Sequence, residues 1–478
     1  MPLVFCFFPG PSSFARFFFL FPEAFARFAF AGAADPTGAL SLTTFVVGAF
    51  ASCAAVSVMS PPRRAVSPKA QRPPPPPTAT KKVKKQQVLA LTNAAVRDAR
   101  GMATARAQAL LALTKHELAN ALQRYAVPRY RVEQVHTSLY NPKARVEDVA
   151  HMTLIPLALR EALIGDGYVT GRVKPLESAS TLASDGTGKM VFVTGDGLKT
   201  NTYEAVGIPD ASCFVADSSS GGRDGNFTSV RGWEKNRLTA CVSSQSGCAM
   251  KCSFCATGKL GFKQNLSAAE IVNQVLALED AYAKRVSNVV FMGMGEPMLN
   301  MNEVVKAIRT LNEDVGIGGR SITVSTVGIP NAMAKFAKHK LQCTLAVSLH
   351  APDQVTREKI VPSAKYYPIE QLIEDSKSYF KETGRRVTFE YTLLAGVNDS
   401  VYQARSLGRM LKRAFGSGAH VNVIPWNNVD GINHTRPSGN VIHKFCGALA
   451  AEGVNQSIRR TRGLESNAAC GQLAGQRA

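Results

Sequence analysis

Three cysteines within eight residues, Cys248, Cys252 and Cys255, constrain this chain more than any other feature of its sequence. Their C-x3-C-x2-C spacing lets three thiolates converge on one face of a metal group. No fourth Cys or His follows at the paired spacing of a structural zinc site, which takes four protein ligands. A three-thiolate site suits a [4Fe–4S] cluster with one iron left open for another ligand. Incidental buried thiols and a disulfide are the plain alternatives. The array falls just after Leu238–Val242, an apolar run that reads as a strand. In α/β folds chemistry gathers at the C-terminal ends of strands.

Beyond Arg237 short apolar runs alternate with helical patterns. Candidate strands are Leu238–Val242, Asn288–Met292, Ser321–Ser325, Thr344–Leu349, Val387–Leu393 and His420–Ile424. Helical stretches between them include Ser267–Lys284, opened by a Ser267/Glu270 capping box, and Pro368–Thr383. Six βα units in this order predict a parallel sheet curled into a partial or full barrel. Upstream, Lys189–Val193 and Thr202–Ile208 flank Gly195-Asp196-Gly197 and read as a β-hairpin-like unit. The run Gly186-Thr187-Gly188-Lys189 looks like a phosphate loop, but Ala183 stands where such a loop needs Gly, so a turn is the better reading. Residues 210–235, with Ser218-Ser219-Ser220-Gly221-Gly222, read as a surface insertion. Roughly 105–170 form a small helical module, with a Thr114/Glu117 capping box and punctuation at Pro128 and Pro156.

The chain has 478 residues, enough for two or three domains. Lys and Arg outnumber Asp and Glu by 56 to 35, a net charge of +21, and residues 61–100 carry +9 of it. The rest of the excess belongs to the folded portion and suits approach to a phosphate backbone. Thirteen of the 24 Phe fall in the first 60 residues, in runs such as Phe17-Phe18-Phe19-Leu20-Phe21, with no amphipathic pattern to bury them. The apolar run Phe45–Val58 is shorter than the ~20 residues a membrane span needs. After it come Pro61-Pro62-Arg63-Arg64, five prolines at 73–77 and Lys81-Lys82-Val83-Lys84-Lys85, a composition that favours solvated, extended chain. Residues 1–100 are therefore expected to be a targeting presequence and a disordered, basic, Pro-rich linker. The layout suits import into a plastid, with the mitochondrion as the alternative, and no membrane anchor is expected. The expected domains are then 101–175, the helical accessory module; 176–236, a hairpin-like connector; and 237–478, the core with its C-terminal tail.

At the cysteine array the chain resembles the radical S-adenosylmethionine (SAM) superfamily, and further motifs narrow the resemblance. Cys241-Val242-Ser243-Ser244-Gln245-Ser246-Gly247-Cys248, Gly293-Met294-Gly295-Glu296-Pro297, Val324-Ser325-Thr326, Val347-Ser348-Leu349-His350-Ala351, Ile424-Pro425-Trp426-Asn427 and Ala468-Ala469-Cys470-Gly471-Gln472-Leu473 together look like the adenine-C2 methyltransferases of large-subunit rRNA and tRNA. The match spans about 105–475. It implies an α/β fold, a partial (β/α)6 radical SAM barrel with a small N-terminal helical accessory domain. In that domain Pro128-Arg129-Tyr130-Arg131 and Leu154–Leu163 resemble the family's RNA-binding module.

The resemblance also implies roles. Cys248, Cys252 and Cys255 would hold the [4Fe–4S] cluster, whose open iron binds SAM. Gly295, Glu296, Ser325, Ser348, Leu349, His350 and Asn427 match the family's cofactor contacts. One SAM would methylate Cys470; a second, cleaved at the cluster, would yield the radical that activates that S-methyl group for addition to adenine C2. Glu204 matches the family's base, and Cys241 would release the product through a transient disulfide with Cys470. The implied partners are large-subunit rRNA, tRNA and an electron donor of the ferredoxin or flavodoxin type, with the chain acting as a monomer. Other readings are the sister adenine-C8 methyltransferase, a glycyl-radical activase, and a non-catalytic iron–sulfur RNA-binding protein.

Overall fold

The structure, a computed structural model, describes residues 108–194, 201–210 and 237–475. Residues 1–107, which include the expected presequence and linker, lie outside the described residues, as does the expected insertion apart from Asp210.

The accessory module holds α1 (Lys115–Gln123), α2 (Tyr130–Tyr140) and α3 (Leu157–Gly165), and the capping box predicted at its start is formed. Thr114 Oγ1 accepts from the Glu117 N–H at 3.1 Å while Glu117 Oε2 accepts from the Thr114 N–H at 2.7 Å. The module is not purely helical. A short strand β1 (Gln108–Ala109) pairs in parallel with β2 (Tyr168–Val169) and ties its two ends together.

Next come β3 (Thr181–Leu182), β4 (Gly188–Thr194) and β5 (Asn201–Pro209), successive antiparallel neighbours. The run 183–188 is the turn expected, with the Gly186 N–H bonded to Ala183 O and Gly186 at φ 77°. From β6 (Leu238–Cys241) onward the chain alternates strand and crossover. A small antiparallel pair, β7 (Gln245–Gly247) and β8 (Phe262–Asn265), brackets the cysteine loop and α4 (Ala256–Leu260). Strands β9 (Asn288–Phe291), β10 (Ile322–Thr326), β11 (Thr344–Ser348), β12 (Val387–Leu393), β13 (His420–Pro425) and β14 (Asn455–Ile458) follow. The helices between them are α5 (Ala268–Tyr282), α6 (Met301–Glu313), α7 (Ala332–Ala337), α8 (Gln354–Ile360), α9 (Ile369–Thr383), α10 (Val401–Phe415) and α11 (Gly439–Ala451).

All but four of these strands form one sheet, in the order β14-β13-β12-β11-β10-β9-β6-β5-β4-β3. The parallel part exceeds the six predicted strands by one, β14. The expected connector is no separate layer, because β5 pairs antiparallel with β6 and carries the sheet outward through β4 and β3. Parallel strands buried on both faces need unbroken apolar sequence, and Leu345, Ala346 and Val347 of β11 are fully buried. The helices pack on the outside around one main core, and the accessory module docks on α5 through buried charge. Arg145 reaches Glu279 at 2.8 Å and also pairs with Asp280, while Arg172 Nε donates to Asn273 Oδ1 at 2.9 Å. No helix among the described residues is long and apolar enough to cross a membrane.

Candidate active site

One cavity of about 410 Å³ opens at the C-terminal ends of the strands. Ile208 from β5, Cys241 from β6, Ser325 and Ser348 from β10 and β11, Glu390 from β12 and Arg459 just past β14 all line it, so the sheet curls around the space.

Cys248, Cys252 and Cys255 share one wall. Their loop rests on a satellite apolar core of Phe254, Ala256, Ala351, Ile360, Val361 and Trp426. The Trp426 indole N–H donates to Phe254 O at 3.0 Å, and the Ser253 N–H donates to Ile360 O at 2.9 Å. All three thiols are half-buried and none is in a disulfide. Burial pushes the Cys248 thiol up to about 12, and burial together with its neighbours Cys255 and Cys248 raises Cys252 well above the ordinary range. Such thiols ionise only beside a cation, and metal ions supply one. Among the described residues no three Cys, His, Asp or Glu close on a single metal ion. The donor set fits a multi-iron cluster held at separate corners.

The residues matched to cofactor contacts are brought together with one exception. Gly295 sits at φ 100°, and a Cβ there would fall 2.6 Å from Gln245 Cβ, so only glycine lets the chain pass. Glu296 is buried; Oε1 accepts from the Met298 N–H at 3.0 Å and Oε2 from the Val327 N–H at 2.9 Å. Burial raises its carboxyl pKa and these backbone donors oppose the rise. Ser325 Oγ and Ser348 Oγ lie 3.2 Å apart. His350, left-handed at φ 60°, accepts the Thr392 N–H on Nδ1 at 3.0 Å. Burial, with the Arg357 charge nearby, lowers its pKa to about 3, so the ring is neutral. Asn427 donates to Cys470 O at 3.1 Å, an unforeseen clasp on the tail. Leu349 is the exception: it does not line the cavity, because its side chain turns into the main core while its N–H donates to Glu390 O at 3.1 Å.

Cys241 and Cys470 face the same cavity as the three-cysteine loop. Cys470 is exposed to that space, whereas burial, then the neighbouring Cys470 charge, pushes the Cys241 thiol up to about 12. Arg459 acts in the opposite sense on both thiols. Its Nη1 stands 3.8 Å from Glu390 Oε2, and neither residue was legible as functional in the sequence. Glu204 is not on the cavity wall. It is fully buried on β5, where the tail crosses the β3–β5 flank: Thr181 Oγ1 donates to Ser466 O at 3.3 Å and the Gly463 N–H donates to Asp185 at 3.0 Å.

Residues 242–404 match the radical SAM superfamily. The chain is 45% identical over 362 residues to a probable dual-specificity RNA methyltransferase RlmN from Synechococcus sp., covering 74% of this chain and 94% of that protein. It is 44% identical over 364 residues to the protein of the same name from Thermosynechococcus vestitus, covering 76% and 97%. A crystal structure of a radical SAM methyltransferase from Sphaerobacter thermophilus is similar with a TM-score of 0.67 at 38% identity, covering 77% of this chain and 100% of that one. With relatives covered almost end to end at this identity, the chain belongs to the RlmN family of radical SAM methyltransferases.

Proposed function

We propose that the protein methylates C2 of adenosine in large-subunit rRNA and in tRNA, using Cys470 as the methyl carrier. The observation that carries this reading is the convergence of Cys241, Cys470 and the three-cysteine loop on one cavity. An activase or a passive iron–sulfur protein has no use for two further thiols there.

When bound, the cluster and SAM supply the methyl group and the one-electron chemistry that an unactivated aromatic carbon requires. Cys248, Cys252 and Cys255 would hold the cluster; Gly295, Glu296, Ser325, Ser348, His350 and Asn427 border the space for SAM. Cys470 carries the methyl carbon to adenine C2 and stays bonded to it in an enzyme–RNA adduct. Glu204 takes the C2 proton, and the one electron left in excess on the purine would be accepted by the bound cluster. Cys241, as thiolate, then attacks the Cys470 sulfur; the S–C bond breaks with its electron pair on carbon, which is protonated to the product methyl. Two thiols are thereby oxidised to a disulfide, which a thiol reductant returns to thiols, while an electron donor of the ferredoxin or flavodoxin class would reduce the bound cluster. The accessory module contacts the RNA, and the chain works as a monomer. Residues 1–100 direct it to a plastid; a fluorescent fusion of those residues that stays in the cytosol overturns that part.

The deciding experiment compares Cys241→Ala with Cys470→Ala after nuclease and protease digestion. Cys241→Ala yields a Cys470 peptide bearing adenosine; Cys470→Ala yields none and leaves RNA unmethylated. Full turnover by Cys470→Ala overturns the route, and 8-methyladenosine in the parent enzyme's product overturns the C2 assignment.

A further inference from the structure

Just past the turn at Gly186-Thr187, Lys189 stands in β4 without an evident purpose. The Gly186 N–H bonds Ala183 O, and the Thr187 N–H donates to Asp185 Oδ1 at 3.0 Å, so the turn needs nothing from the lysine. Yet Lys189 is 1% exposed. Burying an ammonium costs several kcal/mol unless a partner and good geometry compensate, and an apolar residue like Val191, two positions on, would fill the slot without that cost. Lys189 Nζ lies 3.6 Å from Glu204 Oε1, and Glu204 is itself fully buried. The register explains the meeting. Lys189 lies opposite Val206, Val191 opposite Glu204, and Val206 opposite Cys241, so Lys189, Glu204 and Cys241 share one face of the sheet. The other face of β5 belongs to α5, since a Cβ on Gly207 would fall 2.5 Å from the Tyr282 ring.

We propose that Lys189 is a positioning residue for Glu204, keeping the buried carboxylate ionised and on the face it shares with Cys241, ready to accept the substrate proton. The inference rests on reading Glu204 as the base. A carboxyl group buried without a cation takes up a proton, and a neutral acid cannot accept another. In the step served, the C2–H bond breaks, its electron pair stays with the purine ring, and the O–H bond forms on Glu204. The ammonium then stands beside a neutral acid, which favours loss of that proton and resets the pair. Among the described residues, other charged and titratable groups on the packed elements include Tyr203 on β5, Cys241 on β6, Asp185 in the β3–β4 turn, Arg462, Glu465 and Cys470 in the tail, and Glu270, Glu279, Asp280 and Tyr282 on α5. Lys189 supplies a cation at ion-pair distance.

The test uses cluster-loaded full-length enzyme and substrate RNA, and measures the Cys470-linked RNA adduct and its release against pH for Lys189→Met, Lys189→Gln, Lys189→Arg and Glu204→Gln. Without the ammonium Glu204 stays protonated to higher pH. Lys189→Met should therefore hold about tenfold more adduct at pH 7, and its release profile should move up by about one pH unit. Lys189→Gln, which fills the slot and keeps a donor, carries the same expectation should Lys189→Met fail to fold. Lys189→Arg should restore release at pH 7. A parental release profile in Lys189→Met or Lys189→Gln overturns the inference, as does activity lost without adduct and without rescue by Arg. Glu204→Gln separates the two readings: adduct at every pH supports the base, and normal turnover removes the base reading and this inference with it.

Discussion

Two walls of the same cavity are built on opposite plans. The wall of Cys248, Cys252 and Cys255 is held by apolar packing and by bonds to the local backbone: the satellite core beneath it, the Trp426 N–H on Phe254 O, and both Glu296 oxygens on main-chain amides. The wall that carries Cys470 is a strap held largely by hydrogen bonds to its carbonyls, most from side chains and one from the Ala256 N–H to Gly471 O at 2.8 Å, with Ala468 and Leu473 seated in the main core. Asn427 holds Cys470 O, Thr257 holds Leu473 O at 2.6 Å, and Thr181 holds Ser466 O. Gln472 in turn donates to Asn428 O at 2.6 Å. Each such bond is worth about 0.5–1.5 kcal/mol and exchanges readily for one to water. A packed core cannot be surrendered a bond at a time. The difference would suit the proposed chemistry, in which a cluster needs a fixed seat and a thiol that serves a methyl donor, a base and a second thiol has to change neighbours.

The largest effect should come from the fixed wall. Gly295→Ala places a Cβ where Gln245 already sits, at a φ that side chains avoid. Backbone strain and overpacking together should cost about 3 kcal/mol or more, read as a lower midpoint in denaturant unfolding. A loss under about 1 kcal/mol would show the wall to be more pliant than its packing implies. Trp426→Phe comes next. It keeps an aromatic ring but loses the five-membered part of the indole and with it the donor to Phe254 O, leaving a buried carbonyl unmet at about 1–3 kcal/mol and a small void beside it. Iron content after anaerobic reconstitution should fall, while alkylation of Cys470 by iodoacetamide should not change.

His350 sharpens the contrast through pH. Its folded pKa, about 3, lies below the ordinary value of 6.5. The unfolded chain thus binds a proton between these values that the folded chain refuses, and stability falls as pH drops below 6.5. From pH 6.5 to 5.5 the loss should be about 1 kcal/mol. A His350→Gln variant should lack this slope, and an equal slope in both proteins would place the acid sensitivity elsewhere.

The fixed wall was also the legible one. Its cysteines are contiguous in sequence, and the strands that support it were read to within a residue or two, because doubly buried parallel strands appear as unbroken apolar runs. Strand β14, Asn455-Gln456-Ser457-Ile458, gave no such signal, being a largely exposed edge. Nor did the joining of the expected connector to the main sheet, since the register of β5 on β6 is set by partners far apart in the chain. Nothing in the sequence around Lys189, Glu390 and Arg459 sets them apart from ordinary solvated charges. Only the fold turns them inward, and local pattern carries no information about that. The Glu204 match came from resemblance, and the sequence could not show that the side chain lies off the cavity wall.

The smallest change in stability should come from the clasp itself. Asn427 lies two residues past β13 and grips the tail twice: Nδ2 donates to Cys470 O, and Oδ1 accepts from Thr461 Oγ1 at 2.9 Å and from Arg436 Nη1 at 3.1 Å. Asn427→Ala removes both grips, yet the freed Cys470 carbonyl faces an open cavity where water can replace the lost donor. The cost should stay near 1 kcal/mol. The larger consequence is kinetic, since the tail lifts more often and Cys470 should alkylate several-fold faster, with fully buried Cys343 as the unreactive internal reference. Asn427→Asp keeps the acceptor for Thr461 and Arg436 but turns an oxygen toward the Cys470 carbonyl, so it should open the tail at least as far as Ala. Iron content should be unchanged in both variants. Iron loss with no gain in Cys470 reactivity would mean that the strap and the cluster seat are one mechanical unit, and the contrast between the walls would fall.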